Sequence, residues 1–330
     1  MEFHFLGTSA GSPTLERNVT ALGLVVQQRK DWYLFDCGEG TQQRLLRSTL
    51  SPVRLSRIFI THLHGDHCYG LPGLISSRGL LGATEPLEIY GPKGLKEMIE
   101  VTFRCSYMRP SFPCTVTEFS QGGEVLLDDE NERVEVVRLS HDVPSYAFVL
   151  TEKDRRGVFQ VDKAREAGIA PGPLFGRLKK GETVTLEDGR SFNGADFVGE
   201  SQKGRKIIVS GDNDKPSLLA EHLKDAELFI HESTHTEEAA AKLSFKSRHS
   251  TAKVVCEEAT KADLPNLILT HFSPRFSLRA QGDGSMSKVK DEAEEFYKGN
   301  LNFAQDFDVY NLNRAGEVSL VDRRSKFLYI

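Results

Sequence analysis

The chain has 330 residues, 39% hydrophobic and 27% charged, with a formal net charge of −5 and a mean hydropathy of −0.36. These values describe an ordinary globular protein and exclude disordered, collagen-like and indiscriminately nucleic-acid-coating classes. The five cysteines are scattered and never arranged as CxxC, which excludes a disulfide framework and a thiolate zinc site.

In chain order, the first third reads as short β-rich runs between Gly, Pro and Asp: EFHFLGT, ALGLVVQQ, WYLFDCG, RIFITHLH and LEIYGP. Apolar residues at helical spacing predict helices in GTQQRLLRS and KGLKEMIEVTFR, and later in SLLAEHLKDA, STAKVVCEEATKA and KVKDEAEEFYK. The fold class is therefore mixed α/β. No unit recurs at a fixed period, so a solenoid or propeller is not expected. The opening MEFHFLGTSAGS lacks a secretory-signal pattern and no apolar run is long enough for a membrane span, so the expected location is cytoplasmic.

One segment departs from this rhythm. Residues 152–180 hold eight Lys or Arg against four Asp or Glu, a local +4 in a chain of −5, with GIAPGP in the middle. Proline and glycine stop regular structure there, which predicts a protruding arm or long loop.

The chemistry concentrates in FITHLHGDHCYGLPG, residues 59–73, which carries four of the molecule's potential ligands within six positions: His62, His64, Asp66 and His67. Leaving so many polar rings unsatisfied in an interior would be costly, so the pattern points to bound metal. Alternation along a strand places His62 and His64 on one side. Gly65 then allows a change of direction that brings Asp66 and His67 in from a following helix. Imidazole and carboxylate without thiolate suit zinc first, manganese or iron second. Further ligands are expected at strand ends, and His141, Asp212 and His271 each close a β-rich run.

This set, HxHxDH followed by a distant His, the Asp of SGD and the His of LTH, resembles the metallo-β-lactamase superfamily. More narrowly, FLGTSAGSPTLERN, FDCGEGTQQRL, ITHLHGDHCYGLPGL, GIAPGPLFGRLKKGETVTLEDG and HESTH together are similar to the ribonuclease Z family, the endonucleases that remove 3′ trailers from tRNA precursors. The resemblance covers about residues 1–311 and implies an αββα sandwich with a basic arm at about 152–180. Residues 312–330 are left as a C-terminal extension of unknown role.

The resemblance also implies two Zn2+ per subunit, with Mn2+ or another divalent metal as the alternative. His62, His64 and His141 would hold one ion, Asp66, His67 and His271 the other, and Asp212 would bridge them. Metal-activated water would attack the phosphodiester with Asp66 beside it. His249 in KSRHST would act as general acid, with His231 and Glu232 bracing it. Arg17 and Asn18 would contact substrate, and the arm would grip tRNA through Lys163, Arg165, Gly172, Pro173, Arg177, Lys179 and Lys180. The family pattern has a basic residue where Leu15 stands, which leaves open whether tRNA ending in CCA is rejected. The family commonly forms homodimers. The same ligand set also serves hydrolases of small phosphodiesters, sulfate esters or thioesters, and an RNA-binding protein with a vestigial metal site is a second alternative.

Overall fold

The β-rich runs of the first third form one sheet. In a computed structural model, which describes residues 1–27, 29–244 and 247–321, β1 (Glu2–Gly7), β2 (Ala21–Val25) and β3 (Trp32–Phe35) pair antiparallel. β4 (Leu55–Phe59), β5 (Leu87–Pro92) and β6 (Cys114–Phe119) then continue in parallel. A second sheet takes β7 (Val125–Asp128), β8 (Glu132–Arg138) and β9 (Tyr146–Glu152). The ribbon β10 (Thr183–Thr185) and β11 (Ser191–Asn193) stands apart. Strands β12 (Lys206–Ser210), β13 (Leu228–Glu232), β14 (Asn266–Thr270) and β15 (Asn300–Phe303) complete the second sheet in parallel. Finally β16 (Val309–Leu312) and β17 (Val318–Leu320) return to the first sheet, giving the order β17-β16-β1-β2-β3-β4-β5-β6 against β15-β14-β13-β12-β9-β8-β7.

The two sheets pack face to face. Alternate residues of both point inward, and Phe148 of β9 meets Phe35 and Phe59 of the first sheet at ring-centroid distances of 5.8 and 5.3 Å. The outer face of the first sheet is covered by α3 (Leu71–Leu80) and α4 (Leu95–Cys105), after the short α1 (Thr41–Leu45) and α2 (Gly65–Cys68). That of the second is covered by α9 (Ala252–Lys261) and α10 (Met286–Phe296). The architecture is thus the expected αββα sandwich. Helix α3 was not among the predicted elements, since Pro72, Gly73 and Gly79 are weak helix formers. Burial of Leu71, Leu74 and Ile75 against the sheet outweighs that weakness. SLLAEHLKDA forms only a 3-10 turn at Pro216–Leu219 and the one-turn α7 (Ala220–Leu223). Between α7 and α9 lies α8 (Glu237–Ala241).

The chain divides into two compact units. The first holds Met1–Asp129, Arg133–Leu150 and the chain from Lys206 onward; the second holds Glu130–Glu132 and Thr151–Arg205. The second unit is longer than the expected arm of 152–180 because its small core needs more chain. Ala164 of α5 (Val161–Glu166), Ile169 and Leu178 of α6 (Pro173–Lys179) close on Val184 and Phe197, and these come from beyond residue 180. Glu152 and Arg205, both buried, join its two ends in a bidentate pair at 2.8 and 2.9 Å.

The proposed C-terminal extension is revised up to residue 321: β17 pairs with β16 as the edge of the first sheet, and Val318 is buried there. The rest of that segment lies outside the described residues. Among the described residues no helix is long and apolar enough to cross a membrane. All five cysteines are free thiols, and Cys37, Cys68 and Cys256 are buried.

Candidate metal centre

The candidate ligands lie in the segments that follow the C-terminal ends of strands, two of them on a short helix. Strand β4 ends at Phe59, so His62 and His64 follow it in irregular chain rather than on the strand itself; their rings still meet, with centroids 4.9 Å apart. His64 stands at the N-cap of α2, which carries Asp66 and His67. His141 follows β8, Asp212 follows β12 and His271 follows β14 directly, with φ of +56° at His271. Parallel strands carry their C-terminal ends to one edge of a sheet, which is why residues far apart in sequence converge.

The convergence is tight. The atoms offered by His62, His64, His141 and Asp212 all lie within 4.8 Å of one another, as do those of Asp66, His67 and His271. Asp212 faces both groups. Its Oδ2 is 3.6 Å from His62 Nε2 and 3.8 Å from His141 Nε2, while its Oδ1 is 3.5 Å from His67 Nε2 and 3.4 Å from His271 Nε2. Asp66 Oδ2 lies 3.5 and 3.4 Å from the same two nitrogens. His141 Nε2 approaches His64 Nδ1 at 3.2 Å.

The opposite nitrogens of four rings are held by the protein. His67 Nδ1 is 2.7 Å from Asp36 Oδ2, His62 Nδ1 is 3.0 Å from Thr61 Oγ1, His141 Nδ1 donates to the Arg248 carbonyl at 2.9 Å, and His271 Nδ1 is 3.0 Å from Thr234 Oγ1. Such partners fix which nitrogen faces inward. Asp36 also accepts from the Thr61 N–H and hydroxyl at 2.8 and 2.9 Å, and it adopts φ of +56°. A non-glycine residue in that region costs about 1–3 kcal/mol, a strain tolerated where the surroundings over-determine the position.

These side chains suit a cation. His62 Nε2 is buried with no hydrogen-bond partner, a cost of about 1–3 kcal/mol unless a ligand takes its lone pair. Burial pushes His62 well below the ordinary histidine range and lowers His64 as well, which favours the neutral form that ligates. Burial works against charge on His67 too, yet Asp212, Asp36 and Asp66 together lift it well above its usual value. Asp212 is itself held low by His271, His67 and His62 despite its burial. The pocket therefore favours positive charge at its centre with lone pairs around it.

His249 stands beside these two groups and forms a third potential ligand group with Asp212 and His271, their donor atoms also within 4.8 Å of one another. Its Nδ1 is 3.0 Å from Glu232 Oε1 and 3.6 Å from Asp212 Oδ2, and its ring stacks on His271 at 5.6 Å. Burial opposes its charge, but Glu232 and Asp212 more than offset this and raise it to about 10. Among the described residues its Nε2 makes no hydrogen bond. Glu232 is buried and accepts from the Asn213 N–H at 2.9 Å, the Thr234 N–H at 3.2 Å and the Thr234 hydroxyl. His231 lies one step further out. Its Nδ1 donates to the Glu232 carbonyl at 2.7 Å and its Nε2 accepts from Asn213 at 3.2 Å, so it braces β13 and Asn213 instead of touching His249.

Two residues expected to contact substrate are engaged within the protein. Arg17 is 3% exposed, so its burial sets it apart from a surface contact: its guanidinium donates to the Phe276 carbonyl at 2.5 Å and covers the Phe272 ring at 5.4 Å. Asn18 donates from Nδ2 to the Glu39 carbonyl at 2.8 Å and from its N–H to Asp306 Oδ2 at 2.7 Å. Leu15, by contrast, is fully exposed.

In the second unit, Lys163 donates to the Asp196 carbonyl, Arg165 lies 3.6 Å from Asp162, and Arg177 pairs with Glu182 at 2.9 Å. Gly172 caps α6 and Pro173 opens it, both exposed. Lys179 and Lys180 are exposed with no ion-pair partner among the described residues. With Arg156 they line a cavity of about 420 Å³ within that unit.

Sequence reasoning passed over Asp36 and Thr234. Asp36 carried a usable signal, since it closes the apolar run WYLF in the same way that Asp212 closes KIIVS.

Two facing sheets with histidines and aspartates gathered at their strand ends define a hydrolase of the metallo-β-lactamase class, and residues 31–165 match the family profile described as "Beta-lactamase superfamily domain". The chain is 42% identical to ribonuclease Z of Marinobacter nauticus over 98% of this chain and 99% of that protein. It is 46% identical to ribonuclease Z of Brevibacillus brevis over 89% and 91%. Among solved structures, human tRNase Z, short form, superposes with a TM-score of 0.68 at 28% identity, covering 95% of this chain and all of that one. The chain belongs to the ribonuclease Z family of metal-dependent phosphodiester hydrolases.

Proposed function

We propose that this chain is a zinc-dependent endoribonuclease that removes 3′ trailers from tRNA precursors and leaves a 3′-hydroxyl on the tRNA. Asp212 carries the reading: its two oxygens face different pairs of histidines, as a carboxylate bridging two cations would. His62, His64 and His141 would hold one Zn2+, and Asp66, His67 and His271 would hold the second. Bound there, such a pair lowers the pKa of water toward about 7 and neutralises the charge that builds on the phosphodiester.

The remaining steps belong to the chain. Asp66 is kept ionised by His67 and His271 in spite of its burial, and as an acceptor it orients the attacking water. Breaking the bond from phosphorus to the ribose O3′ leaves an alkoxide that needs a proton. His249 supplies it from Nε2, while Glu232 holds Nδ1 and stabilises the charged ring beforehand. In the second unit, exposed Lys179 and Lys180 offer charge to the phosphates of the tRNA body. From the family resemblance the reading includes a homodimer in the cytoplasm, and mass measurement in solution tests the first of these.

The deciding experiment incubates the purified protein, with zinc, with two 3′-extended tRNA precursors, one with and one without an encoded CCA, and maps the ends. A single cut leaving a 3′-hydroxyl supports the reading. Intact precursor alongside rapid turnover of small esters would replace it with a small-substrate hydrolase. Unchanged RNA binding after chelation, with no cut under any metal, would replace it with a binding protein.

A further inference from the structure

The stretch from Thr8 to Asn18 is tied at both ends to one carboxylate that the mechanism above does not use. The Thr8 hydroxyl donates to Asp306 Oδ1 at 2.8 Å and the Asn18 N–H donates to Asp306 Oδ2 at 2.7 Å. Arg44 of α1 pairs with the same carboxylate, donates to the Leu6 carbonyl at 3.0 Å and lies 3.9 Å over the Phe307 ring. Asp306 is 8% exposed. The strands of the loop are further clipped to the segment that follows His271: the Ala10 N–H donates to the Phe272 carbonyl at 3.0 Å, and the Phe272 N–H to the Thr8 carbonyl at 2.9 Å.

At the turn of this stretch Gly11 has φ of +70° and aims its N–H at Asp66 Oδ2, 2.7 Å away. That oxygen is also the one facing His67 Nε2 and His271 Nε2. A carboxylate turns easily about its terminal torsion, so one backbone donor on one oxygen selects its orientation. Ordinary side chains are strained at positive φ, which makes glycine the residue that permits this approach.

We propose that Asp306 is a positioning residue for the Asp66, His67 and His271 half of the metal centre: it pins the 8–18 stretch, and the Gly11 amide then sets the Asp66 carboxylate. The inference rests on the two-cation reading above for its consequence, but the tie itself is measurable without metal. The test compares the wild-type chain with Asp306→Ala, the milder Asp306→Asn and Thr8→Val, and Asp66→Ala alone and combined with Asp306→Ala.

Zinc titration against a competing chelator is expected to show one ion weakened about 10–100-fold in Asp306→Ala, with the other held within twofold. The double variant is expected to bind that ion no more weakly than Asp66→Ala alone. In metal-free protein, the Gly11 amide resonance is expected to shift in Asp306→Ala and to move less in Asp306→Asn and Thr8→Val. Equal weakening of both ions, additive effects in the double variant, or a Gly11 resonance indifferent to Asp306 would each overturn the proposal. If the wild-type chain takes up fewer than two zinc ions, the two-cation reading fails, while the amide measurement still decides whether Asp306 controls Gly11.

Discussion

The metal cluster and the basic surface of the second unit handle charge in opposite ways. In the cluster, His62, His67, His141, Asp212 and His271 are all buried, and four of these rings have a second nitrogen fixed by a protein partner. In the second unit Arg156, Lys163, Arg165, Arg177, Lys179 and Lys180 are exposed, while apolar residues such as Leu178 and Val184 are buried. A small cation must be stripped of water and caged, so its ligands need rigid, desolvated placement. A polyanion keeps its own counterions until it docks, so it is met by solvated charge whose value lies in number and reach.

Four experiments put this contrast at risk, and chelation has the greatest consequence. Exhaustive removal of metal is expected to abolish hydrolysis of both tRNA precursor and small phosphodiesters while circular dichroism shows the helix content of the whole chain retained; retained hydrolysis would separate the cluster from the chemistry. His249→Gln is expected to lower precursor cleavage about 10²–10⁴-fold, with zinc stoichiometry and tRNA affinity unchanged. Loss of zinc in that variant would show that His249 ligates instead of donating a proton. Asp36→Ala frees His67 Nδ1 and is expected to weaken zinc about 10–100-fold, read by chelator competition. A change within twofold would mean that packing alone orients the ring.

Replacing both Lys179→Ala and Lys180→Ala is expected to do least. The dependence of log affinity for tRNA on log salt should flatten by about 0.7–0.9 for each phosphate that is no longer neutralised, while turnover of small phosphodiesters stays at the wild-type rate. An unchanged slope would show that these lysines do not meet RNA.

Much of this was legible in the residues because ligand chemistry and chain order are local properties. HxHxDH can be recognised without knowing where it sits, and His141, Asp212 and His271 announce themselves by closing apolar runs. Asp36 shares that position but was passed over, since it touches His67 and Thr61 instead of joining a recognisable ligand pattern. The burial of Arg17 was not legible for the converse reason: a cation in a loop looks available until the structure shows its guanidinium against Phe272 and the Phe276 carbonyl, more than 250 positions away. Helix α3 was missed because its weak local propensity is overridden by burial against the first sheet.

Residue order alone was enough to single out the seven side chains that the structure brings together, the α/β class and the basic segment 152–180, because residue types, apolar spacing and local charge are carried by neighbours along the chain. It took the folded chain to show that Asp212 turns one oxygen to each pair of histidines, that Glu232 holds His249, and that Asp306 reaches Gly11 through the 8–18 stretch. Those relations depend on sheet register and on loops meeting across two packed sheets, and no sequence separation encodes which atoms will come within hydrogen-bonding reach.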